Sequence, residues 1–160
     1  MSETLMQRLQ KLDWAAYGVL WVRIAFGSHA LITGLNYFIP LFPLGSGPGP
    51  SPNGAFQDEM TRIGLYEFVK VIEVLVGLCL LANRFVALAA LVEMPITIAI
   101  GYLCIFVDGS PGIVFSGIRE IFFNSVLLAA YSNYFLPLLD WRSKYSPIWA
   151  PRPRGKADTP

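Results

Sequence analysis

Apolar residues fill four stretches of this chain, from about Trp14 to Phe38, Tyr66 to Ala82, Phe85 to Val107 and Gly117 to Leu136, and polar residues collect between them. Each stretch is close to the ~20 residues that carry an α-helix across ~30 Å of hydrocarbon. Four such runs in a short chain leave almost no polar surface for water to solvate. The pattern therefore predicts an all-α fold, an integral membrane four-helix bundle occupying one domain over residues 1–140. The first run is too long for the core of a signal peptide and no small-x-small cleavage pattern follows it, so it is expected to remain as a helix. Ahead of it, Leu5, Met6, Leu9 and Leu12 recur at helical spacing while Arg8 and Lys11 lie elsewhere, which predicts a short interfacial helix.

The segments between the runs read differently. From Leu41 to Gly54 the chain is rich in proline and glycine, favouring an extended linker or a cap over one end of the bundle. Residues 141–160 form a basic, proline-rich tail with Pro147, Pro151, Pro153 and Pro160, expected to be disordered against an anionic leaflet.

Composition strengthens the membrane reading. The chain is 54% apolar and only 14% charged, where a soluble domain carries about 25% charged residues. A formal net charge of +1 excludes the broad basic surface of a nucleic-acid binder. Lysine and arginine then orient the chain. Arg8 and Lys11 precede the first run, Arg84 sits between the second and third, and Arg142, Lys144, Arg152, Arg154 and Lys156 follow the fourth. The opposite loops offer only Arg62 and, at their edge, Arg119. By the positive-inside rule both termini are cytoplasmic, and a bacterial cell would hold the chain as a multi-pass protein of its inner membrane.

Ionisable groups at membrane depth are costly unless paired or hydrated, so those inside the runs are the most informative residues. They form an intramembrane polar cluster of Arg23, His29, Asn36, Lys70, Glu73, Glu93 and Asn124, with Arg119 and Glu120 at its margin. Counting ~1.5 Å per residue from the cytoplasmic end of each run places Arg23, Glu73 and Glu93 roughly 12 to 15 Å deep, and His29, Lys70 and Asn124 roughly 20 Å deep. Two polar layers are thus predicted. Helical spacing puts Lys70 with Glu73 on one face, Glu93 with Thr97, Gly101 and Cys104 on another, and Glu120 with Asn124 and Tyr131 on a third. Gly27, Gly34 and Gly77 suit close helix packing, and Pro95 is expected to kink the third run beside Glu93. The cluster either faces a ligand or pairs internally, with Arg23 against Glu73 or Glu93.

Several chemistries are excluded. Cys79 and Cys104 fall near opposite ends of their runs, ~20 Å apart in depth, too far for a disulfide, and no C-x-x-C pair is present. His29 is the only histidine, so bis-histidine haem ligation within one chain is impossible, and no metal site is predicted. No P-loop or dinucleotide-binding glycine pattern occurs.

Between Val22 and Leu139 the order of features resembles the DoxX family of small four-span bacterial membrane proteins. The matching text is Arg23-Ile-Ala-Phe-Gly27 and Gly34 to Pro40 in the first run, then Lys70-Val-Ile-Glu73, Gly77-Leu78, Leu81 to Val86 and Pro95-Ile96. His29, and Glu93 ahead of Pro95, depart from common forms of the family. The resemblance implies a compact four-helix bundle acting as an accessory or membrane subunit of a quinone-linked redox system for sulfur or thiol oxidation. Any enzyme would then be a quinone-dependent oxidoreductase of which this is the membrane part. Quinone is the one cofactor implied, and the implied partners are the lipid bilayer, a soluble or membrane redox protein, and a second copy of the chain. The alternative is a non-catalytic structural or assembly factor, or a small transporter, built on a buried ion-pair network.

Overall fold

The computed structural model describes residues 13–42, 51–136 and 141. The expected interfacial helix before residue 13, residues 43–50 of the proline-rich loop, and the tail after Trp141 lie outside the described residues. Within them the chain is helical: α1 (Trp14–Phe38), α2 (Pro52–Arg62), α3 (Leu65–Leu81), α4 (Val86–Tyr102) and α5 (Pro111–Ala130). A π-helical turn, Leu103–Asp108, extends α4, and a short 3₁₀ turn, Ser132–Tyr134, follows α5.

Local chemistry sets the boundaries. Asp13 caps α1 by accepting from the Ala16 N–H at 3.1 Å. A tight turn joins α3 to α4, with Asn83 and Phe85 both in the left-handed region and the Arg84 N–H bonded to the Cys79 carbonyl at 2.9 Å. Asparagine tolerates that conformation, whereas for Phe85 it is a strained one. At the other end, Gly109 takes a φ of +71° to stop the π turn, and Pro111 opens α5 at its first position.

Two boundaries differ from expectation. The fourth run was predicted from Gly117 to Leu136, but α5 runs from Pro111 to Ala130, six residues earlier at each end. Ser110-Pro111 supplies a helix start that hydropathy alone passes over. The proline-rich loop was expected to stay extended through Gly54, yet α2 begins at Pro52, with Ser51 Oγ accepting from the Gly54 N–H at 3.1 Å. α2 lies across the end of the bundle remote from the Ala82–Phe85 turn, against α3 and the π turn.

The four long helices close a ring in which α1 packs on α3, α3 on α4, α4 on α5 and α5 on α1. Two glycine crossings hold the ring tight. A Cβ on Gly77 would lie 2.6 Å from the Leu31 nitrogen and 2.8 Å from the Gly27 carbonyl, so α1 and α3 meet backbone to backbone. Across the ring, a Cβ on Gly117 would fall 2.7 Å from Cys104 Cβ and 3.4 Å from Gly101 Cα. The packing is inverted relative to a soluble protein. Glu73, Glu93, Thr97, Glu120 and Asn124 are buried, while Leu20, Ile24, Phe68, Leu75, Leu88, Ile98, Phe106 and Phe122 are exposed. Three helices are long and apolar enough to cross a membrane: α1, α4 with its π extension (Val86–Asp108), and α5. α3, at 17 residues with Glu67, Lys70 and Glu73, is shorter and more charged.

Candidate functional site: the polar interior

Antiparallel packing of α1 on α3 brings Thr33 opposite Glu73. The Lys70 ammonium donates to both Glu73 oxygens, at 2.9 and 2.8 Å, and the Thr33 hydroxyl donates to Glu73 Oε2 at 3.0 Å. Thr33 is held in place by its own helix, within 2.9 Å of the His29 carbonyl. Lys70 also sits 5.1 Å from the centroid of the Tyr66 ring, a cation–π distance. This carboxylate is fully met.

A second group joins α1 to α5. His29 Nε2 lies 2.9 Å from Glu120 Oε1, and the neighbouring Arg119 guanidinium donates to the same oxygen at 2.7 Å. Arg119 Nη2 is also 3.3 Å from His29 Nε2. Because α5 starts at Pro111, Arg119 and Glu120 lie about two turns inside the helix instead of at a loop edge. Their pairing with His29 was missed for that reason; the Ser110-Pro111 start was the signal available.

Asn124 is completely buried and reaches across to α4. With its amide turned to satisfy its surroundings, the nitrogen donates to the Ala90 carbonyl at 3.0 Å, while the oxygen accepts from the Thr97 hydroxyl at 3.0 Å and the Met94 N–H at 3.2 Å. One side chain therefore ties into the backbone of α4 just before Pro95. That proline has no N–H, which leaves the Leu91 carbonyl without its helical donor. The ring of Pro95 is exposed on the outer face of α4, and the helix continues past it to Tyr102.

Arg23 and Asn36 serve the ends of the bundle. Arg23 donates to the side-chain oxygen of Asn83 in the α3–α4 turn, and among the described residues it pairs with neither Glu73 nor Glu93. The first two turns of α1, including Trp14, Tyr17 and Trp21, are exposed. Depth counted from Trp14 therefore sets Arg23 too deep. Asn36 accepts from the Leu41 and Phe42 N–H groups at 2.9 and 2.7 Å and donates to the Phe42 carbonyl, fastening the chain leaving α1. Nearby, the Tyr37 hydroxyl donates to Glu67 Oε1 at 2.7 Å.

The two predicted layers are thus redrawn. Arg23 moves to the turn, and Asn124 drops to the level of Thr97. Glu73 and Glu93 come to one level, roughly 10 to 12 Å from the ends of their helices nearest the turn, and Glu120 lies further in, about 15 Å from the end of α5. Of these carboxylates Glu93 is the exception: it is 4% exposed and its Oε2 accepts no hydrogen bond from any described residue. Cys79 and Cys104 are both free thiols.

A quinone headgroup needs hydrogen-bond donors beside an apolar slot. In the interior, Lys70 is engaged by Glu73, and His29 and Arg119 by Glu120. Donors also line a groove of about 290 Å³ near the turn, where Arg23 and Tyr131 stand among Ala16, Val19, Leu20 and Ala130. Arg23 gives one of its donors to Asn83, but its buried Nε has no partner among the described residues, which leaves the groove a free donor for a headgroup oxygen. No known family model, curated protein or solved structure matches the chain. What the fold and site define is a class: a protein all-helical among its described residues, with three helices long and apolar enough to cross a membrane and a charged, largely paired interior.

Proposed function

We propose that this chain is a DoxX-like, four-span protein of a bacterial inner membrane, with both termini in the cytoplasm, serving as the membrane subunit of a quinone-linked redox system. The observation that carries the membrane part is the inverted packing, apolar side chains outward and charged ones inward. α3 spans as the fourth helix because its charged groups face the interior, where Lys70 and Glu73 neutralise one another. Placement of arginine and lysine supports the orientation.

In the redox reading Arg23 and Tyr131 would hold a quinone headgroup by donating hydrogen bonds to it, within a groove whose apolar lining includes Val19 and Leu20. Quinone supplies two-electron chemistry when bound; the chain's own part is to hold and orient it beside the cytoplasmic surface, where a soluble partner could reach it. Purification in mild detergent followed by lipid extraction tests this. Co-purifying quinone, and a rise in thermal stability on adding more that is lost in Arg23→Gln, are expected. An empty extract with no thermal shift contradicts it.

A second reading, a structural or assembly factor or a small transporter, draws on a specific observation: Glu73 and Glu120 are already neutralised by Lys70 and Arg119. Such closed pairs brace helices without needing a ligand. Liposome flux that survives both Glu73→Gln and Glu93→Gln would exclude those carboxylates as transport groups.

A further inference from the structure

Glu93 stands apart from every other charged side chain in the interior. The charged groups near enough to act on it are Glu73 and Lys70 from α3 and Glu120 from α5. Two of the three are anions, and the cation is bound to one of them. Arg119 and His29, the remaining basic groups at this level, are both on Glu120. The fixed charges cancel without Glu93: Lys70 balances Glu73, and Arg119 balances Glu120. An ionised Glu93 would make a third buried anion with no cation of its own, the arrangement a low-dielectric interior tolerates least. No group of three metal-ligating side chains converges among the described residues.

We propose that Glu93 is an intramembrane proton-binding site, whose buried carboxyl, with its Oε2 unpartnered, takes up a proton in place of the cation that Glu73 and Glu120 each have. The proposal rests on the membrane-bundle reading and is independent of the quinone.

Infrared spectroscopy of the full-length protein in mild detergent tests it, because a protonated carboxylic acid has a carbonyl band that an ionised carboxylate lacks. The wild type at neutral pH should show this band, shifted in deuterated water. Glu93→Gln should abolish it, and Glu73→Gln and Glu120→Gln should keep it. Should Glu93→Gln fold poorly, Glu93→Asp should move the band instead of removing it. A wild-type protein without the band, or a band that survives in Glu93→Gln, overturns the proton site. Bound quinone without the band defeats this proposal alone; the band without quinone binding defeats only the redox reading.

Discussion

The α1–α3 pair and the α4–α5 pair are both antiparallel, both cross at glycines and both bury carboxylates, yet they treat those carboxylates differently. Between α1 and α3, Glu73 receives three hydrogen bonds, two from Lys70 and one from Thr33. In the other pair, Glu93 of α4 has a buried oxygen without a partner, and the polar contact of that region goes instead to backbone, through Asn124. α4 also carries Pro95 and ends in a π turn, two departures from regular α-helix, whereas α3 has neither. Irregular helix within a membrane persists where protein neighbours satisfy the freed backbone groups. Asn124 supports α4 beside that break, bonding the Ala90 carbonyl and the Met94 N–H next to the Leu91 carbonyl that Pro95 frees. The first pair is a closed brace; the second keeps an unfilled polar position.

The largest effect is expected from breaking the brace. Lys70→Met strands Glu73 and should cost about 3 to 5 kcal/mol, the range for opening a buried ion pair. Replacing both residues with methionine should restore much of it, as read from thermal unfolding in detergent. If the double variant is no better than the single one, the pair is not the source of the loss. Gly77→Ala comes next, because its new methyl meets the backbone of α1. Forcing the helices apart should cost ~1 to 3 kcal/mol, visible as reduced monodisperse yield; normal yield and melting would show that α1 and α3 do not touch there. On the α4–α5 side, Asn124→Leu should cost only about 1 kcal/mol, since hydrogen bonds between membrane helices are modest, and should loosen α4 around Met94. Amide exchange at Met94 equal to that of the wild type would contradict the role given to Asn124.

How much of this was legible in the sequence depends on the residue. α1 and α3 read almost to the residue because their apolar runs are bounded by Asp13 and by the Asn83-Arg84 turn. The start of α5 did not, because Pro111 and Gly112 look like loop to a hydropathy reading while Pro at the first helical position is a start signal. That shift alone hid the meeting of His29 with Arg119 and Glu120. Arg23 was misplaced for a different reason: α1 extends past the α3–α4 turn that Arg23 meets at Asn83, and no count along one helix reveals where the next one ends. Lys70 beside Glu73 was visible, being three residues apart on one face. The empty position at Glu93 was not, because a missing partner is a property of the assembled ring.

Two glutamates at nearly the same depth, Glu73 and Glu93, are proposed to differ in charge state because one has a cation and the other has none. Glu73→Gln and Glu93→Gln, purified side by side in one detergent and melted under one protocol, test this directly. Glu73→Gln should melt well below the wild type, since it leaves Lys70 unpaired, and Glu93→Gln should melt at or above the wild type, since glutamine resembles the neutral acid. Equal losses in both variants, or a larger loss in Glu93→Gln, would contradict the account.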